Sequence, residues 1–314
     1  MEANPMPLDA NVTGTDAGPS DYDPFSKYNG EASAILFPVG ERRVGWETRS
    51  GGYQRITSHK AIIRLTPTGE SVHVLGVVGS GYRLVTNREL FGRVEDTLRK
   101  QMQIEQLNGV QVKDRVSGYG RVCFREYIFP NIKCRLGGGT KSDIAFRILV
   151  QNGYGGSALR VHSGAIEFYC TNGMISGEYQ SAYKKHTSGL AVAGVGDIVA
   201  NALDTFAGSQ ERWKHWAKTP VKHQEAMDLF KQLTDSNKLY ENLSNQYLRE
   251  VEERGRNLWA VYSALTFYAS HNDGEFKLKS SVEAQDTIAT TMLQRELSVA
   301  RWVDSDAWRK LEHA

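Results

Sequence analysis

The sequence predicts an α+β fold: antiparallel β-sheet carrying one packed helix, followed by a mainly helical C-terminal part. Three observations predict it. Short alternating or β-branched runs, punctuated by Gly and Pro, fill residues 43 to about 85 and again 121 to 168. One amphipathic stretch with a start signal lies between them. After about residue 192, apolar residues recur at three- and four-residue spacing. Strands first and helices later is the order of an α+β domain.

The elements follow in chain order. Residues 1–29 are rich in Pro, Asp, Gly, Asn and Ser. So little apolar surface cannot offset the entropy of ordering, which predicts a disordered tail. The tail is acidic, with Glu2, Asp9, Asp16, Asp21 and Asp23 against Lys27. An α+β domain is expected over 30–192, with a helical region packed on it over 193–314. No linker-like composition separates the two, so a single core is expected. Ala61-Ile62-Ile63-Arg64-Leu65 should pair with Val72-His73-Val74-Leu75 across Thr66-Pro67-Thr68-Gly69-Glu70, whose Pro and Gly suit a turn. A short strand is expected at 82–85. Thr86-Asn87-Arg88-Glu89 has the form of a capping box. The helix it opens should run to about residue 103 and bury Leu90, Phe91, Val94 and Leu98.

Residues 121–129 alternate. Val122, Phe124 and Ile128 fall on one parity, Arg121, Cys123, Arg125 and Tyr127 on the other. Side chains of a strand point alternately to two faces, so the second set is expected to face solvent. Ile144, Phe146 and Ile148 alternate likewise. Residues 159–161 and 166–168 read as a hairpin across Ser163-Gly164. Helices are expected at 197–216, 221–234, 237–271 and 281–311, with Asn272-Asp273-Gly274 dividing the last two.

Composition narrows the function classes. The formal net charge is +2, so any anionic partner needs local charge segregation. Three cysteines without CxxC spacing give neither a disulfide framework nor a structural zinc site. No basic-then-apolar leader opens the chain, and no run approaches the ~18 apolar residues of a membrane span. The expected setting is a reducing cytoplasm.

Three separated stretches carry a family resemblance. They are Gly81-Tyr82-Arg83-Leu84-Val85-Thr86-Asn87-Arg88-Glu89-Leu90-Phe91, then Val150-Gln151-Asn152-Gly153-Tyr154-Gly155-Gly156-Ser157 through Cys170-Thr171-Asn172-Gly173-Met174 to His186-Thr187, and Leu258-Trp259-Ala260-Val261-Tyr262-Ser263-Ala264-Leu265-Thr266-Phe267-Tyr268. In that order they resemble the phage/plasmid-like family called domain of unknown function 932. The family usually has Asn where this chain has Ser263. The resemblance covers about residue 75 to the C-terminus. It implies genes of phages, prophages and plasmids, and no established reaction.

Cys170, Asn172 and His186 have the residue types of a thiol nucleophile, orienter and base. The structural reading is preferred: Cys170 shares the apolar parity of Ile166 and Phe168, and Asn172-Gly173 is a turn dipeptide. Gly153, Gly155 and Gly156 fit GxGG rather than GxGxxG and do not open a helix, which excludes a phosphate cradle there. No catalytic residue, metal or cofactor is assigned.

The functional signal is basic. Between Lys113 and Lys185, eleven Lys and Arg stand against five acids, a local +6 in a chain of +2. The candidate nucleic-acid-binding residues are Arg121, Arg125, Lys133, Arg135, Lys141, Arg147, Arg160, Lys184 and Lys185, with Tyr127 as a stacking ring. A positive track beside aromatic rings suits single-stranded DNA. The blander alternative is a solvated β face with ordinary surface cations. A non-enzymatic single-strand binding or annealing protein of recombination or replication is expected, with homo-oligomerisation as in phage annealing proteins. That analogy is one of fold order alone. The alternatives are a phage protein that binds a host protein, which would show apolar surface on its helical half, and a thiol hydrolase.

Overall fold

The computed structural model describes residues 23–30, 33–136, 143–157, 159–167, 173–175, 195–271 and 288–313. Its first sheet has three strands in the order β1 (Val39–Glu47), β2 (Tyr53–Leu65), β3 (Ser71–Gly79). Its second has five in sequence order: β4 (Gln111–Ser117), β5 (Val122–Arg135), β6 (Asp143–Gly153), β7 (Arg160–Glu167) and β8 (Gly173–Ile175). Every neighbouring pair is antiparallel. Helices α1 (Asn87–Gln101) and α2 (Ile104–Leu107) connect the two sheets. The helical half comprises α3 (Val195–Lys218), α4 (His223–Leu233), α5 (Asn237–Arg254), α6 (Leu258–Ser270), α7 (Ile288–Val303) and α8 (Asp306–Glu312). The α+β class with a helical C-terminal half is therefore what the chain adopts.

The five-stranded sheet is covered on both faces. Cys123, Tyr127, Phe129, Phe146, Ile148 and Val150 share one apolar core with Leu90, Phe91 and Val94 of α1, Phe206 and Trp213 of α3, and Leu258, Trp259, Val261 and Leu265 of α6. On the opposite face Phe124 and Leu149 pack with Leu293 and Ala300 of α7. The main core thus runs from the first helix through the sheet into the helical half. The small sheet attaches through Ile62, Leu75 and Val78, which pack on Tyr154 at the end of β6.

Several sequence expectations are corrected. Residues 82–85 form no strand. The expected hairpin at 159–168 is one continuous strand as far as Glu167. Ser163 and Gly164 pair with Ile148 and Arg147 inside the ladder, because a full row of β6 partners outweighs their turn propensity. The helix expected at 237–271 is two. Gly255 (φ +79°) closes α5 with its N–H on the Val251 carbonyl, and Asn257 opens α6 by accepting from the Ala260 N–H at 2.9 Å. Likewise Ser305 caps α8 and separates it from α7. Apolar periodicity continues across both breaks, so it hides them. Of the capping box at α1, Thr86 accepts from the Glu89 N–H as expected.

The expected tail also ends earlier than residue 29. Phe25 is buried, edge-on to Tyr127 at 5.8 Å. The Tyr28 hydroxyl donates to the Val110 carbonyl, and Asn29 Nδ2 donates to Glu95 Oε2 at 2.5 Å. Residues 23–29 therefore belong to the folded body. Residues 1–22 lie outside the described residues.

Candidate nucleic-acid interface

Two of the candidate arginines are core residues. Arg125 is 0 % exposed. Its Nε and Nη2 donate to the two Asp114 oxygens, both at 2.8 Å, and its Nη1 donates to Glu95 and Asn29 at 2.9 and 2.6 Å. Burial acts to lower its pKa, but Asp114 and Glu95 raise it, so the guanidinium stays charged. Arg147 is 2 % exposed and lies between Glu126 and Glu296 of α7, donating to the latter at 2.9 and 3.1 Å. Burial pushes Glu126 up, yet Arg147, Arg115 and Lys113 together hold its carboxyl below the usual range. Tyr127 is fully buried, and its hydroxyl donates to Glu95 at 3.1 Å.

These three residues cannot meet a phosphate or a base. The expectation that Arg125 and Tyr127 face solvent fails because the strand has no solvent face. Arg125 and Tyr127 point to the α1 side, and Arg147 points to the α7 side. Burying an isolated guanidinium costs several kcal/mol, about what paired carboxylates must offset, and here each arginine has two of them.

The remaining candidates are scattered. Arg121 has an exposed side chain, with its Nε donating to the Leu75 carbonyl at 3.0 Å. Lys133 and Arg135 are exposed and share Asp143, at 2.6 and 2.9 Å. Arg160 is half-buried on the α7 side of β7. Lys141, Lys184 and Lys185 lie outside the described residues, as do Cys170, Asn172 and His186. No continuous track joins the placed members of the set.

Two of the motif stretches do meet, in a buried joint. Asn152 Nδ2 donates to the Val85 carbonyl and to Asn87 Oδ1, and the Asn87 N–H donates to the Tyr154 hydroxyl at 2.8 Å. This ties the end of β6 to the start of α1. Burial pushes the adjacent Cys123 thiol up to about 12, so it is inert at neutral pH. The joint is structural.

A denser group of exposed cations lies on the hairpin of β1 and β2. Between Val39 and Leu65 six Lys and Arg stand against two acids. Beyond the register shift at Arg43/Val44, residues 44–47 pair with 53–56 as a narrow arm. Its turn is held by Thr48, whose N–H donates to the Gly52 carbonyl at 2.7 Å and whose hydroxyl accepts from the Gly52 N–H. Arg42, Arg43, Arg49 and Arg55 are exposed, and among the described residues no carboxylate lies within ion-pair distance of them. Trp46 is 54 % and Tyr53 59 % exposed. The Tyr53 ring lies over Gly45, where a Cβ would come within 2.6 Å of it, so glycine is what admits the ring. An exposed two-stranded ribbon with unpaired arginines and two rings has the chemistry of a strand-binding surface. The signal was present in the sequence as the local excess of +4 beside Trp46 and Tyr53.

Other features are less informative. A cleft of about 600 Å³ in the helical half is lined by Asp204, Arg212, Trp216, Tyr262, Asp304 and Arg309, among others. Its central Arg212 is committed to Glu312 at 2.9 Å, and Glu312 also accepts from Trp216, which fastens α8 to α3. Among the described residues no group of three or more His, Cys, Asp or Glu could hold a metal, and no helix is long and apolar enough to cross a membrane.

A family model described as a domain of unknown function, DUF932, matches residues 74–302. The match includes the five-stranded sheet and begins within β3, so the arm precedes it. No curated protein and no solved structure matches.

Proposed function

The chain belongs to the DUF932 family, and because that membership assigns no ligand we propose a function from the chain's own surface: it binds single-stranded nucleic acid without catalysis, through the β1–β2 arm. The observation that carries this reading is the set of exposed arginines Arg42, Arg43, Arg49 and Arg55, without a carboxylate partner among the described residues, beside the exposed Trp46 and Tyr53. Arginines neutralise phosphates and release counterions, while rings stack on bases regardless of sequence. A role in strand binding or annealing during recombination or replication is the natural setting for such chemistry.

A second reading, docking of a protein partner, is favoured by Val72, Val74 and Val77, which are exposed on edge strand β3. Among the described residues the helical half exposes only Leu248 as a large apolar side chain, so a partner would sit on the small sheet.

The test is anisotropy of a labelled single-stranded oligonucleotide during a salt titration. Wild-type protein is expected to bind with steep salt dependence. The triple variant Arg42→Gln, Arg43→Gln, Arg55→Gln should flatten the slope of log affinity against log salt by about 2, at ~0.7 per neutralised phosphate. Absence of binding at low salt, or a triple variant that binds like wild type, overturns the arm as a nucleic-acid site and turns attention to β3.

A further inference from the structure

We infer that the Gly118–Tyr119–Gly120 turn is a second element of the interface, a rigid platform on which one unstacked nucleobase lies against Tyr119 and His73. The inference rests on the single-strand reading above and deepens it by naming what the turn contacts. Four observations support it.

The first is the backbone. Tyr119 (φ +56°, ψ +18°) is the one non-glycine residue with positive φ among the described residues. A bulky side chain rarely adopts that region, and residues held there concentrate at functional sites. Its neighbours Gly118 (φ +60°) and Gly120 (φ +109°) take the same hand, so the turn thrusts the ring outward.

The second is exposure. Tyr119 is 60 % exposed, the condition least compatible with a packing role. A residue that costs backbone strain and adds little to a core needs another reason to be aromatic.

The third is the partner ring. His73 of β3, itself exposed, stacks on Tyr119 with centroids 4.7 Å apart and planes 25° from parallel. Two adjoining flat rings offer the stacking surface that bases use.

The fourth is rigidity. Arg64 Nη1 donates to the Tyr119 carbonyl at 3.1 Å and its guanidinium lies 4.1 Å over the Phe37 ring. Arg121 Nε holds the Leu75 carbonyl. A Cβ on Gly120 would come within 2.5 Å of Phe37, so the turn is seated directly against that ring. The platform is therefore preorganised, and Arg64 and Arg121 supply positive charge beside it. Arg64 pairs with His73 in the sheet, nine residues along β2 from Arg55. At ~3.3 Å per residue the platform lies at most about 30 Å from the arm, so one strand can engage both.

The experiment uses the full chain and a single-stranded oligonucleotide carrying 5-iodouracil, photo-cross-linked and mapped by peptide mass. A cross-link on Tyr119 or His73 is expected, alongside cross-links on the arm. Tyr119→Gly should weaken binding about 5- to 150-fold, the range for losing one base–ring stack. It should also leave the melting temperature equal or higher, since glycine adopts this φ without strain. Tyr119→Phe should bind like wild type. A Tyr119 that merely packs would give the opposite pattern, a lower melting temperature with unchanged affinity, and that overturns the platform. Cross-links confined to residues 39–56, with wild-type affinity in Tyr119→Gly, also overturn it while leaving the single-strand reading intact. No binding by the wild-type protein at low salt overturns both.

Discussion

Arg125 and Arg147 of the five-stranded sheet lie beneath helices on opposite faces, each held by two carboxylates, whereas Arg43, Arg49 and Arg55 of the β1–β2 hairpin are exposed with no carboxylate partner among the described residues. The two regions have similar excesses of positive charge along the sequence, yet the charge does different work in each. In the large sheet it fastens layers together. Arg125 joins β5 to β4, α1 and the N-terminal residues Tyr28 and Asn29, through Asp114, Glu95, the Asn29 side chain and the Tyr28 carbonyl. Arg147 joins β6 to β5 and α7. In the small sheet only the inner end is covered, and the arm beyond residue 44 presents both faces outward. What separates a fastening arginine from an exposed one is the number of covered faces, and that number is set by the helices rather than by the strand's own sequence.

The largest expected effects lie in the covered region. Arg125→Ala leaves a buried void and takes the guanidinium from Glu95 and Asp114, and Arg147→Ala does the same to Glu126 and Glu296. Removing one partner of a buried ion pair costs about 3–5 kcal/mol, and each variant should lose that much in urea or guanidinium unfolding. Arg125→Ala should in addition expose residues 23–29 to protease, because Asn29 and the Tyr28 carbonyl lose their shared donor. A loss below about 1 kcal/mol in both variants would break the distinction between the two sheets.

A smaller effect, of about 2–3 kcal/mol, is expected from pH. His162 lies on β7 opposite Leu149, on the α7 side with Arg147. Burial, with help from Arg160 and Arg147, pushes its pKa down to about 4. The unfolded chain therefore binds the proton more readily than the folded one. Stability from the neutral ring is fully present above the unfolded value near 6.5 and is lost as pH falls toward and through 4. Unfolding midpoints measured from pH 7 to 4 should decline in wild type, and His162→Gln should flatten that decline. An unchanged pH profile in the variant would show that His162 is solvated and that the α7 face admits water there.

Much of the fold was legible in the sequence. The hairpin of β2 and β3, the Thr86 cap and the apolar stripe of α1 follow from local rules of turn chemistry and periodicity. The helical half was legible as helix, with its breaks at 219–222 and 234–236, but not with those at Gly255 and Ser305, which interrupt the chain without interrupting its apolar rhythm. The site was legible only in part. Alternation in 121–129 was real, but it assigns residues to two faces without saying whether either is open. Burial of Arg125 depends on Glu95, thirty residues away in sequence, and burial of Arg147 on Glu296, nearly 150 away. No local rule reports such partners. The arm was visible as a +4 excess beside Trp46 and Tyr53 but was outranked, for the converse reason. Its cations are fewer than those between Lys113 and Lys185, and a count ranks segments by number when the relevant quantity is the number left unpaired.

The smallest effect on stability, and the one that most sharpens the comparison, belongs to the arm. Arg49 lies in its turn and Arg55 on its second strand, and neither has a carboxylate partner among the described residues. Surface substitutions away from caps, cores and ion networks usually stay within ±0.5 kcal/mol, so Arg49→Gln and Arg55→Gln should unfold at the wild-type denaturant midpoint. Single-strand affinity should nonetheless fall in both, with a salt slope shallower by ~0.7 for each phosphate left without its arginine. The two readouts oppose those of Arg125→Ala, where stability collapses for want of a buried partner. If Arg49→Gln or Arg55→Gln instead lowers stability by more than about 1 kcal/mol, the arm is packed against another part of the molecule. Its charge would then be fastening charge, like that of the large sheet, and the difference between the two regions would vanish.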